Sequence, residues 1–454
     1  LAVTETRTYP IERIGGTDRI ASLDVLRGVA ILFILFMNIP WMGYYAPTIG
    51  DPRLVSWTGF DRMAFGWMIG LWGTQRGLLE ILFGVGIMIM ARRAMTADAP
   101  VAIADLHYRR NWLLIVFGLF NALVLLWGGD ILLPYGMTAL MLFQFRLLKV
   151  PTKLLLALLF LLGAMGSGVN SYVQRAEARD AAAEVAAAKA AHRPVAKELA
   201  EAAAPWDKAV KNAVPFAQNP EKQKAVEKVH ATRMGPFGAY ALGAWGDWAE
   251  MYQAPGFFAT LAEIAGTMLL GMALFELGIL QGRARRSAYV ALLLVGYGIG
   301  IPMRIWGYQE ILLFSPEPKI WWFSQDISRI AMTLGHIGLI QLLLLNGPGR
   351  ALLWPFQAAG RMPLTTYLFP SFLTMWLLFP GFGLGLHGRW GFGGLMTCAA
   401  IIIAGEVVAT NLWMRWYETG PMEWLWKGLA YGRRMPFRRR PAEVSLPTDA
   451  VPAE

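Results

Sequence analysis

The 454-residue sequence has a single cysteine, Cys398, so it forms no intramolecular disulfide and no cysteine-based metal cluster. Charge is scarce as well. Asp, Glu, Lys and Arg make up 16% of the chain, against roughly 25% in water-soluble domains. That deficit, beside 56% hydrophobic residues, excludes disordered, collagen-like and nucleic-acid-binding readings. Histidine is limited to five positions, none at metal-ligand spacing, so no metal is expected. The halves show no repeat of the kind in which transporters pair broken helices, a mild argument against transport.

What is present is apolar sequence in membrane-sized lengths. Mean hydropathy is +0.42. Runs near the roughly 20 residues that cross a bilayer as helix fall at 23–43, 77–92, 111–127, 131–145, 154–173, 256–280, 287–305, 329–346, 363–380 and 392–414. The expected fold is therefore all-α and polytopic, with about ten transmembrane helices. With the N-terminus inside, the clusters at Arg92-Arg93, Arg109-Arg110, Arg283–Arg286 and Arg433–Arg440 share one side, and the short loops opposite hold only Arg53, Lys319 and Arg389. This bias places both termini in the cytoplasm. The segment 57–76 reads as an interfacial or re-entrant helix broken at Gly73-Thr-Gln-Arg-Gly77. The first span resembles a signal-peptide core but lacks a small-residue cleavage site, and is expected to be retained.

Four regions follow: a bundle over 1–173, an Ala/Glu/Lys-rich insertion over 174–255, a second bundle over 256–418 and a basic tail over 419–454. The insertion's composition favours helix. It is expected to project outward as a thin hairpin serving as a cap or contact surface. Trp424, Trp426 and the arginines after them read as a headgroup anchor, and Gly381–Gly388 as a turn.

Ionisable groups within spans cost at least ~2.5–3.5 kcal/mol each at mid-bilayer and call for partners. Asp24 and Arg27, three residues apart, share a helical face and can pair. Asp130 after Gly128-Gly129 reads as a helix cap, with acceptor recognition as its alternative. Arg27, Arg109, Arg110 and Arg361 fall at cytoplasmic ends of different spans. They either reflect the positive-inside bias or converge on one phosphate-binding mouth.

The stretch Leu23-Asp-Val-Leu-Arg-Gly-Val-Ala30, with Asn38 eleven residues after Arg27, resembles the opening helix of the YeiB-like family of membrane proteins, a domain of unknown function. Further blocks agree in order: Leu82-Phe-Gly-Val-Gly86, Tyr108-Arg-Arg110, Trp127-Gly-Gly-Asp-Ile-Leu-Leu-Pro-Tyr135, Gly360-Arg-Met-Pro-Leu-Thr-Thr-Tyr-Leu368 and Gly420-Pro-Met-Glu-Trp-Leu-Trp-Lys-Gly428. The family is grouped with transmembrane acyltransferases such as heparan-α-glucosaminide N-acetyltransferase. The resemblance thus implies an acyl-transfer fold in a bacterial inner membrane, a cytoplasmic acyl-CoA donor and a glycan or lipid-linked acceptor at the far side. The segment Trp57–Trp67 resembles part of the glucosaminide enzyme and brings in Asp61.

The histidines such relatives use are missing: their positions are Asn38 and Ile49 here. Positions where the YeiB-like pattern has His, Ser and Asn are Asn121, Glu80 and Thr366. Two substitute bases are available. Glu80 sits among Leu and Ile, with pairing to a partner such as Arg329 as its structural alternative. His336 is flanked by Gly335 and Gly338, with a hydrogen bond between helices as its alternative. The expected site thus comprises Glu80 or His336 as base with Asp61 nearby, Asn38 as oxyanion donor, Asp24, Arg27, Arg110, Arg361 and Arg76 for the donor, and Asp130 for the acceptor. Membrane lipids are expected partners and homo-oligomerisation is left open. A transporter or lipid-handling protein, or a catalytically degenerate scaffold of the same fold, are the rival readings.

Overall fold

The structure, a computed structural model, describes residues 20–45, 51–91, 101–253 and 256–439. Ile49 and the paired arginines 92 and 93 lie outside these residues. Among the described residues the regular structure is helical, and the single strand-like feature is one antiparallel bridge, Tyr417 to Arg438. Seven helices among the described residues are long and apolar enough to cross a membrane: 21–43, 59–91, 150–190, 256–276, 286–312, 321–344 and 392–416. The other three expected spans exist as helices that are shorter or less apolar. These are α5 (Val101–Leu123), α6 (Leu132–Leu142, continued by a tight turn to Leu147) and α15 (Pro363–Phe372, continued by a wide turn to Leu378).

The first span is α1 (Ala21–Phe33) running into α2 (Leu35–Gly43). The next pair is α3 (Gly59–Leu71) and α4 (Thr74–Ala91), so the 57–76 segment forms its own helix. They part at Trp72-Gly73, where Gly73 has φ +67° and a Cβ would stand 2.7 Å from Arg329 Cδ. A side chain there would fail on both counts. Helix α14 (Gly347–Arg361) lies along α1, and their crossing is made of glycine. A Cβ on Gly28 would lie 1.8 Å from Phe356 O, and one on Gly360 would lie 1.7 Å from Asp24 O. Two of the sequence blocks thereby meet backbone to backbone, which sets Arg27 beside Gly360-Arg361.

Helix α7 (Val150–Ala190) has 41 residues, about 60 Å at 1.5 Å per residue. It runs straight through the expected boundary at 173, because its Ala-rich second half contains no breaker before His192 at φ 54° and Pro194. Its first half presents Leu155, Leu158, Leu159 and Leu162 outward, each more than half exposed, as a lipid-facing stripe. Helix α8 (Lys197–Ala213) returns along α7.

The rest of the insertion departs from a thin projecting hairpin. Helices α9 (Pro220–Met234) and α10 (Phe237–Gln253) dock on the bundle. Val226, Tyr240, Ala241 and Ala244 join the main core. Gly381 N donates to Arg233 O at 3.0 Å, Trp245 Nε1 to Leu123 O at 2.9 Å, and Tyr45 Oη meets His230 Nδ1 at 3.0 Å. We call this covered end distal, and the opposite end, which carries Arg27 and Arg361, basal. Helices α11 (Gly256–Glu276), α12 (Arg286–Leu312), α13 (Trp321–Leu344) and α16 (Phe392–Trp416) complete the bundle. The final helix, α17 (Pro421–Tyr431), seats on α5 and α15, so this part of the expected tail belongs to the body.

Candidate functional site: two cavities back to back

The basal cavity, about 270 Å³, is walled by Ile31, Leu79, Leu82, Phe83, Ile87 and Leu114 and crowned by Arg27, Arg110, Arg361 and Lys427. Each cation is positioned by a different element. Arg27, on α1, hydrogen-bonds Asp24 and Gly360 O, both at 3.4 Å. Arg110, on α5, stacks over the Trp426 ring at 4.4 Å, and Trp426 Nε1 donates to Arg110 O at 3.0 Å. Arg361 ends α14 immediately past the glycine crossing. Lys427, on α17, is held where Glu423 locks that helix to the start of α15. The Glu423 carboxylate is buried and accepts from Leu364 N, from Thr365 N at 3.0 Å and from Thr365 Oγ1 at 2.6 Å. Burial raises the Glu423 pKa, with these hydrogen bonds opposing the rise.

The distal cavity, about 710 Å³, lies under α10 and is bordered by Asn38, Trp41, Trp72, Arg76, Trp127, Asp326 and Arg329 among others. Ile131 borders both cavities. The partition is the Trp127–Tyr135 block. Ile131 N donates to the Tyr367 hydroxyl at 3.0 Å, while Asp130 accepts from Asn121 Nδ2 at 2.8 Å and Leu133 N at 2.9 Å. Asp130 thus caps α6 and stands behind the partition.

Beside the distal cavity lies a buried four-charge network. Arg329 Nη1 meets Glu80 Oε2 at 2.9 Å and Arg329 Nη2 meets Glu263 Oε1 at 2.9 Å. Arg76 pairs with Glu263 and, at 3.3 Å, with Glu80. Tyr135 Oη adds a hydrogen bond to Glu80 at 3.4 Å. Glu80 is fully buried and lines neither cavity. Its two oxygens are engaged, which is the structural alternative weighed for it above.

The expected site residues therefore divide. Arg27, Arg110 and Arg361 converge on the basal mouth with Asp24 behind Arg27. Arg109 points elsewhere, paired with Asp105 at 2.9 Å. Asn38 and Arg76 face the distal cavity instead. His336 lines neither cavity: its Nδ1 lies 2.7 Å from Met332 O, and its ring meets Tyr297 edge to face. Asp61 accepts from Ser56 Oγ at 2.8 Å, Thr58 Oγ1 at 2.7 Å and Gly393 N at 2.9 Å, so it joins the starts of α3 and α16. Trp426, Lys427 and Glu423 are additions. The Gly420–Gly428 block contained them, yet a cavity-lining Trp and a headgroup Trp look alike in sequence.

These features define a helical integral membrane protein with a cavity crowned by four cations at one end and a second, polar cavity at the other. Residues 274–433 match the family described as "Protein of unknown function (DUF418)". The chain is 27% identical to the "Uncharacterized protein YxaH" of Bacillus subtilis (strain 168), over 93% of this chain and 97% of that protein. It is 26% identical to the "Uncharacterized protein YeiB" of Escherichia coli (strain K12), over 91% of this chain and 96% of that protein. No solved structure matches the chain. The YeiB-like resemblance carried by the Leu23–Asn38 block is borne out.

Proposed function

We propose that this chain is a membrane acyltransferase with about ten membrane crossings, both termini cytoplasmic, in a bacterial inner membrane. It takes an acyl group from cytoplasmic acyl-CoA at the basal cavity and passes it to a glycan or lipid-linked acceptor held in the distal one. The observation that carries this reading is the pairing of a four-cation mouth with an apolar cavity that abuts a polar chamber across one residue, Ile131. Guanidinium groups suit the donor's phosphates, and the leucine-lined wall suits its acyl chain. The acyl carbon would reach the partition. There the acceptor heteroatom bonds to it as the carbon–sulfur bond breaks, and the acceptor's proton passes to a base while the thiolate leaves with coenzyme A.

Asn38 keeps its proposed role, since its carboxamide borders the chamber and makes no hydrogen bond among the described residues. Glu80 and His336 lie apart from both cavities, so the base role moves to Asp326, a half-buried carboxylate of the distal cavity. The Ile131 partition also suits a lipid-handling protein that opens to each end in turn. Acyl-CoA binding and hydrolysis by the purified protein separate the two. Acyl-CoA at about millimolar concentration raises the unfolding midpoint by mass action, and Arg361→Gln and Lys427→Gln each weaken its binding about tenfold. Absence of any shift refutes the donor assignment.

A further inference from the structure

We propose that the distal cavity binds an organic ammonium ion, a positive amine carried on a partly apolar body. Three arginines border this cavity, Arg76, Arg233 and Arg329, and all are already engaged. Arg233 pairs with Asp247 at 3.0 Å, and Arg76 and Arg329 with Glu80 and Glu263. Each of these guanidiniums already faces a carboxylate, so an anionic ligand there has to compete with a charge in place. Four carboxylates border the same space, and among the described residues two of them, Glu250 and Asp326, have neither an ion pair nor a hydrogen bond. Negative charge is thus in excess where the basal mouth has an excess of positive charge, so the two cavities select ligands of opposite sign.

The apolar part of the lining points the same way. Trp41 and Trp72 border this cavity and also the adjoining space beside α9, and indole faces attract ammonium groups. Met37, Met251 and Met375 supply soft surface that adapts to an irregular body. A cavity of about 710 Å³ is sized for an organic molecule. Among the described residues no group of three or more His, Cys, Asp or Glu could hold a metal ion. A wide cleft between α7 and α13 shares Glu263, Gln325 and Asp326 with the cavity. Binding stands independently of acyl transfer. The inference deepens that reading only in making the ligand its acceptor: Asp326 takes the ammonium proton, nitrogen bonds to the acyl carbon as sulfur leaves, and the thiolate takes the second proton.

The test uses the full chain in lipid nanodiscs and benzyltrimethylammonium, which cannot be acylated, beside benzoate and benzyl alcohol. Thermal midpoint and tryptophan fluorescence are the readouts. The cation is expected to bind at least about tenfold more tightly than benzoate. Asp326→Asn and Trp72→Leu should each weaken it about tenfold, with Glu250→Gln as a second charge variant and Arg361→Gln leaving it unchanged. Equal binding of benzoate, or unchanged affinity in folded Asp326→Asn and Glu250→Gln, overturns the proposal. Acyl-CoA binding in the same preparations separates the failures: its loss refutes the donor site and leaves the ammonium result standing, and the converse holds.

Discussion

At the residue scale the decisive fact is that four of the scarce charges inside the bundle, Arg76, Glu80, Glu263 and Arg329, are committed to one another. Arg329 is 2% exposed and touches two carboxylates from two other helices, with Thr267 Oγ1 at 3.3 Å as a further acceptor. Removing one member of such a set leaves the others buried without compensation, which costs about 3–5 kcal/mol, whereas removing charges in balance costs far less. Arg329→Met is therefore expected to lower stability by about that amount. Adding Glu80→Gln should recover a large part, because the surviving Glu263 still has Arg76. Thermal unfolding of the two variants in detergent decides it: a double variant no more stable than the single one means the network is not what holds α4, α11 and α13 together. This partnership was half legible in the sequence. Glu80 among apolar neighbours announces the need for a cation, but Arg76 one turn away is as good a candidate as Arg329, and only the fold shows that both serve.

At the element scale, the distal cap is an assembly of the 380–391 loop, the chain around Tyr45 and helix α9. His387 sits at its centre, 2% exposed, edge to face with Tyr45 at 5.0 Å and with Nδ1 lacking a hydrogen-bond partner. Burial, with the charge of Arg233 nearby, lowers its pKa to about 3 from an ordinary 6.5. The sign follows from proton binding: below about pH 6.5 the unfolded chain takes up a proton that the folded cap refuses until about pH 3. Stability is then full above that window and falls as pH drops through it, by up to about 1.4 kcal/mol per pH unit. Hydrogen exchange of α9 and the 380–391 loop between pH 7 and 5 should show the cap loosening, and His387→Phe should flatten the slope. An identical acid loss in His387→Phe rules out this group as the cause. The docking itself was not legible. Ala/Glu/Lys composition announces helix, but it does not name the partners: Val226, Val229 and Tyr240 pack on the core and Phe237 meets Trp376 and Phe382, residues far along the chain that helical periodicity does not point to. The α1–α14 crossing was legible because Gly28 and Gly360 sit inside blocks already singled out, and those glycines explain why Arg27 and Arg361 meet.

At the scale of the whole molecule, the proposed transfer has to cross the thin partition where the two cavities share one lining residue. The residues of the one expected site divide between two cavities, because α5 and α6 are joined by a loop that turns inward at Trp127–Ile131, and helical periodicity carries no information about where such a loop goes. Ile131 lines both cavities, and the chain offers a clean way to test access from each side, since its single cysteine, Cys398, is half-buried and can be replaced by Ala. In that background Ile131→Cys should react with a membrane-impermeant thiosulfonate both in right-side-out and in inverted vesicles, whereas Asn38→Cys should react only from the distal side and Leu82→Cys only from the basal side. A larger side chain at the same point, Ile131→Trp, should then block passage of an acyl group without weakening binding of free coenzyme A at the basal mouth, because it fills the partition and leaves Arg27, Arg110, Arg361 and Lys427 untouched. Labelling of Ile131→Cys from one side alone would mean that the cavities do not meet at this residue, and the transfer path would have to run elsewhere in the bundle.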